Sequence, residues 1–162
     1  MNTEKNQFSG ALPPSLGQLP HLEGIDVSSN AFSGEIPSSF TNLMNVQGMD
    51  LSSNRLTGPV PSGFGNLVRL DWLDLSRNML TGSVPIELGK CQALMTLNLA
   101  HNKLQGQMPL ELTRCSALEE LHLHNNALSG APQLRDAFIA TQNADDAGAV
   151  ITQLFLEASD YT

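Results

Sequence analysis

Apolar residues recur along this chain with a spacing that fits neither one long helix nor one long strand. An asparagine stands at every 24th position, and a glycine follows each asparagine by four residues; the asparagines are Asn6, Asn30, Asn54, Asn78, Asn102 and Asn126. A proline follows by seven residues in the first five copies, from Pro13 to Pro109. No insertion interrupts this count. The spacing indicates an internal repeat, and we number the coils 1 to 6 by their asparagines.

Each repeat predicts a short strand followed by further inward contacts. In coil 4, Leu73 and Leu75 are two residues apart, which places them on one face of a strand. Leu80, Val84 and Leu88 supply apolar positions after the asparagine. Because one coil cannot bury this face alone, the coils must stack on one another.

The asparagine column is polar although apolar columns flank it. Its amide carries donors and acceptors, so stacked copies can satisfy backbone groups of the turns. Glycine allows a positive φ, and proline fixes φ where the chain bends back. These three columns therefore predict the turns of the coil.

The full pattern, Leu-x-x-Leu-x-Leu-x-x-Asn-x-Leu-x-Gly-x-Ile/Val-Pro, resembles the plant-type leucine-rich repeat. That repeat is known from the ectodomains of receptor-like kinases, receptor-like proteins and polygalacturonase inhibitors. The resemblance covers residues 1–132. It implies an α/β solenoid, a right-handed superhelix with one parallel β-sheet on the concave face and little α-helix before the C-terminal tail. The solenoid has about six coils, the first one truncated, so we expect a fragment of a longer ectodomain.

Residues 133–162 leave the repeat and form an acidic tail. Leu134, Ala137 and Phe138 have helical spacing, as do the apolar residues from Val150 to Ala158. The spacing predicts one or two short helices, and a disordered extension is the alternative. An ordered tail would shield the last coil from solvent.

The formal net charge of −8 bears on the partners of the chain. Nucleic acids and anionic membrane surfaces both require clustered Lys and Arg, so neither is predicted as a partner. The family resemblance implies an extracellular or cell-surface location. Residues 1–6 lack the apolar core of a secretory signal, and the chain has no Asn-x-Ser/Thr sequon and no transmembrane run.

The two cysteines lie 24 residues apart in a column that leucines fill elsewhere. We therefore predict that Cys91 and Cys115 are buried, reduced thiols. Neighbouring coils are close enough that a disulfide stays an open alternative.

Two groups of side chains could carry catalytic or metal chemistry. Asp26, Asp50 and Asp74 have a spacing near that of a glycosidase carboxyl pair, but the repeat consensus itself carries Asp there. Histidines of coils 5 and 6 could hold zinc or copper beside Glu120. We predict instead no enzyme, no cofactor and no physiological metal.

The concave face carries the individual information of this chain. Coils 2 and 3 offer the family background of Gly, Asp and Ser, whereas later coils depart from it. Trp, Arg and His are residue types that anchor interfaces. The candidate ligand-binding residues are Trp72, Asp74, Arg77, Asn98, His101, Glu120, His122 and His124. The predicted partner is a protein or peptide ligand, with a co-receptor as a further partner. An inhibitor of a secreted polysaccharide-degrading enzyme and an intracellular leucine-rich repeat scaffold are the alternatives.

Overall fold

Coils 2 to 5 follow the same path through a strand, an asparagine turn and a short 3-10 helix. The computed structural model describes residues 7–142 and 153–155. Successive coils stack in register at intervals of 24 residues, because the same apolar columns meet in each one.

One parallel sheet of six short strands forms the main face of the stack. Numbered in chain order, its strands are β2 (Gly24–Asp26), β4 (Gly48–Asp50), β6 (Trp72–Asp74), β7 (Thr96–Asn98), β9 (Glu120–His122) and β11 (Gln153–Phe155). The central residue of β2, β4, β6, β7 and β9 points into the core and is buried, as Leu73 is in β6. The predicted α/β solenoid with a parallel sheet on its concave face is confirmed. We call the outward positions of these strands and the turn residues that follow them the main-sheet face.

A second set of strands lies on the flank of the coils, and the sequence pattern did not predict it. These lateral strands are β1 (Ser9–Ala11), β3 (Ala31–Glu35), β5 (Arg55–Thr57), β8 (Gln105–Gln107) and β10 (Ala127–Ser129). They form the parallel sheets β1-β3-β5 and β8-β10. Between them, coil 4 makes only an isolated bridge from Thr81 to Pro59. Proline has no N–H to donate, which weakens strand pairing at this point.

Within the described residues, five 3-10 helices, one from each of coils 1 to 5, stack against one another. They are η1 (Pro14–Gln18), η2 (Ser38–Asn42), η3 (Ser62–Asn66), η4 (Ile86–Lys90) and η5 (Leu110–Arg114). Each one ends where an N–H bonds back to a carbonyl three residues earlier, as Cys91 does to Leu88 at 3.0 Å. A Cβ atom on Gly65 would lie 2.2 Å from the Glu87 carbonyl oxygen, so η3 and η4 approach closely only because glycine stands there.

The core is a set of apolar columns with a polar asparagine ladder beside it. Leu73, Leu97 and Leu121 are completely buried, as are Cys91 and Cys115. Both cysteines are free thiols. Their burial confirms the prediction that they take the place of leucines in an inward column. Their thiols donate to carbonyl oxygens of the preceding coil, at 3.4 Å for Cys91 and 3.2 Å for Cys115.

The tail covers the last coil in two ways. Helix α1 (Ala131–Gln142) buries Leu134 and Phe138 in the same core that contains Leu123. The helical spacing expected from Val150 to Ala158 is wrong at Gln153–Phe155, which form β11 in parallel with β9. The open edge of β9 offers unpaired N–H and C=O groups, and pairing with them outweighs the local apolar spacing. The other residues of that pattern lie outside the described part of the chain.

Candidate binding surface on the main sheet

Trp72 carries the largest outward side chain of the main strands, and its indole ring lies beside two glycines that have no side chains. Register places Gly24, Gly48 and Trp72 next to one another on β2, β4 and β6. Trp72 is 39% exposed, and its Cε3 atom lies 3.7 Å from the position of a Cβ on Gly48. The missing side chain of Gly48 therefore makes room for the ring, and the backbone at Gly24 has no side chain over it. Sequence analysis named Trp72 but missed this floor of two glycines, although the Gly-Gly-Trp column was visible in the repeat.

In the neighbouring outward column, two residues further along each strand, side chains accept hydrogen bonds from the turn that follows the strand. Asp74 Oδ1 accepts the Ser76 N–H at 2.8 Å, and Asp50 Oδ1 accepts that of Ser52 at 2.9 Å. Asn98 closes the same kind of turn in coil 5 and donates from Nδ2 to Asp74 Oδ2 at 2.9 Å. Asp74 and Asn98 thus lie on the predicted face, and both also hold the turn that follows their strand.

Three carboxylates follow one another across coils 2 to 4 in this column. Asp26, Asp50 and Asp74 are aligned in register on β2, β4 and β6. Burial raises the pKa of Asp50, hydrogen bonds to Ser52 oppose this, and the negative charges of Asp74 and Asp26 raise it further. The three aligned carboxylates give this part of the face its acidic character.

In the column after the aspartates, three of the five residues are buried rather than exposed as expected. Ser28, Ser76 and Ala100 are buried, because the chain turns inward directly after each strand. His124 stands in this column and is only partly exposed. Its ring is therefore a wall of the surface in coil 6 rather than a freely projecting contact.

The next residues of the turns have left-handed backbone conformations. Arg77 has φ 54° and His101 has φ 57°, and the same position is left-handed in Ser29, Ser53 and Asn125. In coils 2 to 5 the N–H group at this position bonds to the following coil, as Arg77 N does to the Ala100 carbonyl at 2.9 Å. Holding a non-glycine residue in this region costs about 1–3 kcal/mol, which the ladder of hydrogen bonds offsets. The side chains of Arg77 and His101 therefore project from backbone that is hydrogen-bonded to the next coil.

Three histidines from coils 5 and 6 form one cluster. The ring centroids of His101 and His124 lie 5.1 Å apart, and those of His122 and His124 lie 6.1 Å apart. Glu120 Oε2 lies 3.7 Å from His122 Nε2. Asn125 Nδ2 lies 3.4 Å from His101 Nε2, which adds a residue that sequence analysis did not name. The structure thus brings four predicted residues together at one end of the face, and Trp72 lies nearer the middle, on β6.

Two observations bear on metals and membranes. Within residues 7–142 and 153–155, no three His, Cys, Asp or Glu side chains are grouped so as to hold a metal ion. In the same part of the chain, no helix has the length and apolar character to cross a bilayer.

A shallow groove offers an alternative surface at the corner between the lateral strands and the 3-10 helices. Its volume is about 840 Å³, and residues 59–63 and 82–87 provide most of the lining. Thr41 stands in η2 at the position that glycine occupies in η1, η3 and η4, and a Cβ on Gly63 of η3 would lie 2.7 Å from its Cγ2 atom. This side chain between η2 and η3 contributes to the groove. Ile86 is 56% exposed beside it.

Comparisons of the sequence give matches to repeat models. The model described as leucine rich repeat matches residues 20–80, and a second leucine rich repeat model matches residues 93–115. A search of curated proteins gave no match.

Solved structures similar to the chain include plant receptor ectodomains. The PEPR1-AtPEP1 complex is 31% identical with a TM-score of 0.84, covering 98% of this chain and 21% of that chain. The plant peptide hormone receptor RGFR1 in complex with RGF2 is 34% identical with a TM-score of 0.79, covering 80% and 21%. The Arabidopsis receptor kinase HAESA, in complex with the peptide hormone IDA and the co-receptor SERK1, is 39% identical with a TM-score of 0.73, covering 78% and 21%. The chain therefore spans about a fifth of the length of these relatives.

Proposed function

This chain belongs to the leucine-rich repeat family, and we propose that it binds an extended peptide or protein segment across its main-sheet face. It is a leucine-rich repeat module that resembles the ectodomains of plant receptors, among them the plant peptide hormone receptor RGFR1 in complex with RGF2 and HAESA in complex with the peptide hormone IDA. The binding role and its place on the surface are our proposal for this chain. We propose no catalytic role.

The observation that carries the proposal is the grouping of anchor residues in three consecutive coils. Trp72, Arg77 and the histidine cluster follow one another across coils 4 to 6. Large aromatic and guanidinium groups are the residues that most often dominate binding energy. The scaffold holds them on ladder-bonded strands and turns, so little backbone ordering is needed on binding.

The shape of the surface favours an extended ligand. The anchors lie on successive strands of a parallel sheet, and strands in such a sheet are about 4.8 Å apart. A peptide that crosses the strands can place successive side chains against successive coils. A co-receptor, as in the HAESA complex, would be a further partner of the longer protein.

The test begins with selection of peptides from a random display library on the immobilised chain. Selected peptides are then titrated by calorimetry against the wild type and against Trp72→Ala, Arg77→Ala and His122→Ala. We expect Trp72→Ala to weaken binding by about 2 kcal/mol, roughly thirtyfold in Kd. Ser52→Ala on the same face and Ile86→Ala beside the groove are the controls.

Equal Kd values for the wild type and the three variants Trp72→Ala, Arg77→Ala and His122→Ala would refute the proposed surface. Loss of binding confined to Ile86→Ala would move the site to the groove. Circular dichroism of every variant checks that a weaker affinity is not caused by unfolding.

A further inference from the structure

The main-sheet face of coils 2 to 4 has a recess next to the anchors already described. Gly24 and Gly48 supply a floor of bare backbone, and the Trp72 indole stands at its edge over Gly48. A Cβ on Gly24 would have no atom nearer than the Gly48 carbonyl oxygen at 3.9 Å. The recess is therefore open to solvent and has an aromatic wall on the side of coil 4.

Carboxylates border the recess along one side. Asp26, Asp50 and Asp74 lie on the same strands, two residues beyond the two glycines and Trp72, so they share the outward face about 6.6 Å further along. Within the described residues, no Lys or Arg forms a salt bridge with Asp50 or Asp74. Arg77 and the histidines of the face belong to coils 4 to 6.

We propose that this recess binds an arginine side chain of the peptide ligand, stacked on Trp72 and paired with Asp50 and Asp74. This inference rests on the proposed function and names the chemistry of one ligand position. A guanidinium group is planar, stacks on indole faces and pairs with carboxylates through several donors, so both walls of the recess suit it. A lysine ammonium would satisfy the charge but would not match the flat aromatic wall.

Charge complementarity selects this occupant over others. An acidic residue of a ligand would be repelled by three carboxylates, and an apolar residue would remove them from water without supplying a positive charge. The glycine floor lets the backbone of an extended peptide approach the sheet, which brings a long side chain within reach of both walls. A cation at this position also relieves the mutual repulsion of the stacked carboxylates.

The test uses a probe peptide, acetyl-Gly-Arg-Gly-amide, and a matched peptide with citrulline, which lacks the charge but keeps the shape. Trp72 is the only tryptophan of the chain, so its fluorescence reports directly on this recess. We expect saturable quenching or enhancement by the arginine peptide, with a Kd on the order of 1 mM and weaker binding at high salt. The citrulline peptide should bind at least about tenfold more weakly.

Two variants locate the binding. Asp50→Asn should raise the Kd of the arginine peptide about tenfold. Asp136→Asn removes the same charge from the exposed surface of α1 and should leave this Kd unchanged. Gly48→Ala should also weaken binding of the arginine peptide, because the added methyl group occupies part of the recess. The methyl group meets only the Trp72 ring, at 3.7 Å, so the substitution does not disturb the fold.

The two proposals fail separately. Equal binding of the arginine and citrulline peptides, no binding of either, or full binding to Asp50→Asn would overturn the arginine recess. If library peptides still depend on Trp72 in that case, the proposed function stands without it.

Discussion

The asparagine ladder gives a sharp test of how the coils are held together. Asn78 is buried, its Oδ1 accepts the Leu56 N–H of the preceding coil at 2.9 Å, and its Nδ2 donates to the Leu51 carbonyl at 2.9 Å. In Asn78→Ala the Leu56 N–H loses its acceptor inside the protein. The Leu51 carbonyl keeps a second donor, the Asn54 amide at 3.2 Å. The damage is therefore concentrated on one buried donor.

The magnitude follows from these contacts. A buried N–H without a partner costs about 2 kcal/mol, and the lost bond to the Leu51 carbonyl adds about 1 kcal/mol. We expect Asn78→Ala to lower the free energy of unfolding by about 3 kcal/mol. Asn30→Ala is the matched control, because its Oδ1 accepts the solvent-exposed Phe8 N–H, which water can satisfy. That variant should lose about 1 kcal/mol or less.

Urea denaturation followed by circular dichroism and by the fluorescence of the single tryptophan measures both variants. The two probes should give coincident transitions if unfolding is cooperative. A loss below about 1 kcal/mol in Asn78→Ala, or an equal loss in both variants, would refute the account of the ladder.

Three further predictions concern the scaffold. Burial raises the pKa of Cys91 to about 11 and that of Cys115 to about 12, so a thiol reagent at pH 8 should react slowly with the native chain. After denaturation without a reductant, the reagent should titrate two thiols, and finding none would show a disulfide. Gly65→Ala should lower stability by about 1–3 kcal/mol in urea denaturation, whereas Gly24→Ala should change it little, and equal losses would contradict the close approach of η3 and η4. Phe138→Ala should cost about 3–5 kcal/mol and increase binding of an apolar dye, because α1 then covers coil 6 poorly; wild-type values would show that the helix is no cap.

The stacking of the coils could be predicted from the sequence because each inward position is repeated and tolerates few residue types. The burial of Cys91 and Cys115 followed from their column alone. The lateral strands could not be predicted, since a left-handed glycine such as Gly58 interrupts their alternation within a few residues. Strand β11 depends on the open edge of β9, which no pattern within the tail itself encodes.

The candidate site was predictable only in part, because outward positions are free to vary and their surroundings decide what they can do. Trp72 was identified from its residue type, but its use of the space above Gly48 depends on the register between two coils. His124 was expected to project from the face, yet the inward turn after the strand places it against His101. The ladder of backbone hydrogen bonds fixes the direction of each outward side chain, so the chemistry of the face depends on which residue stands at each position. Exchanging residues at outward positions can therefore change what a leucine-rich repeat surface binds while the core columns keep the fold.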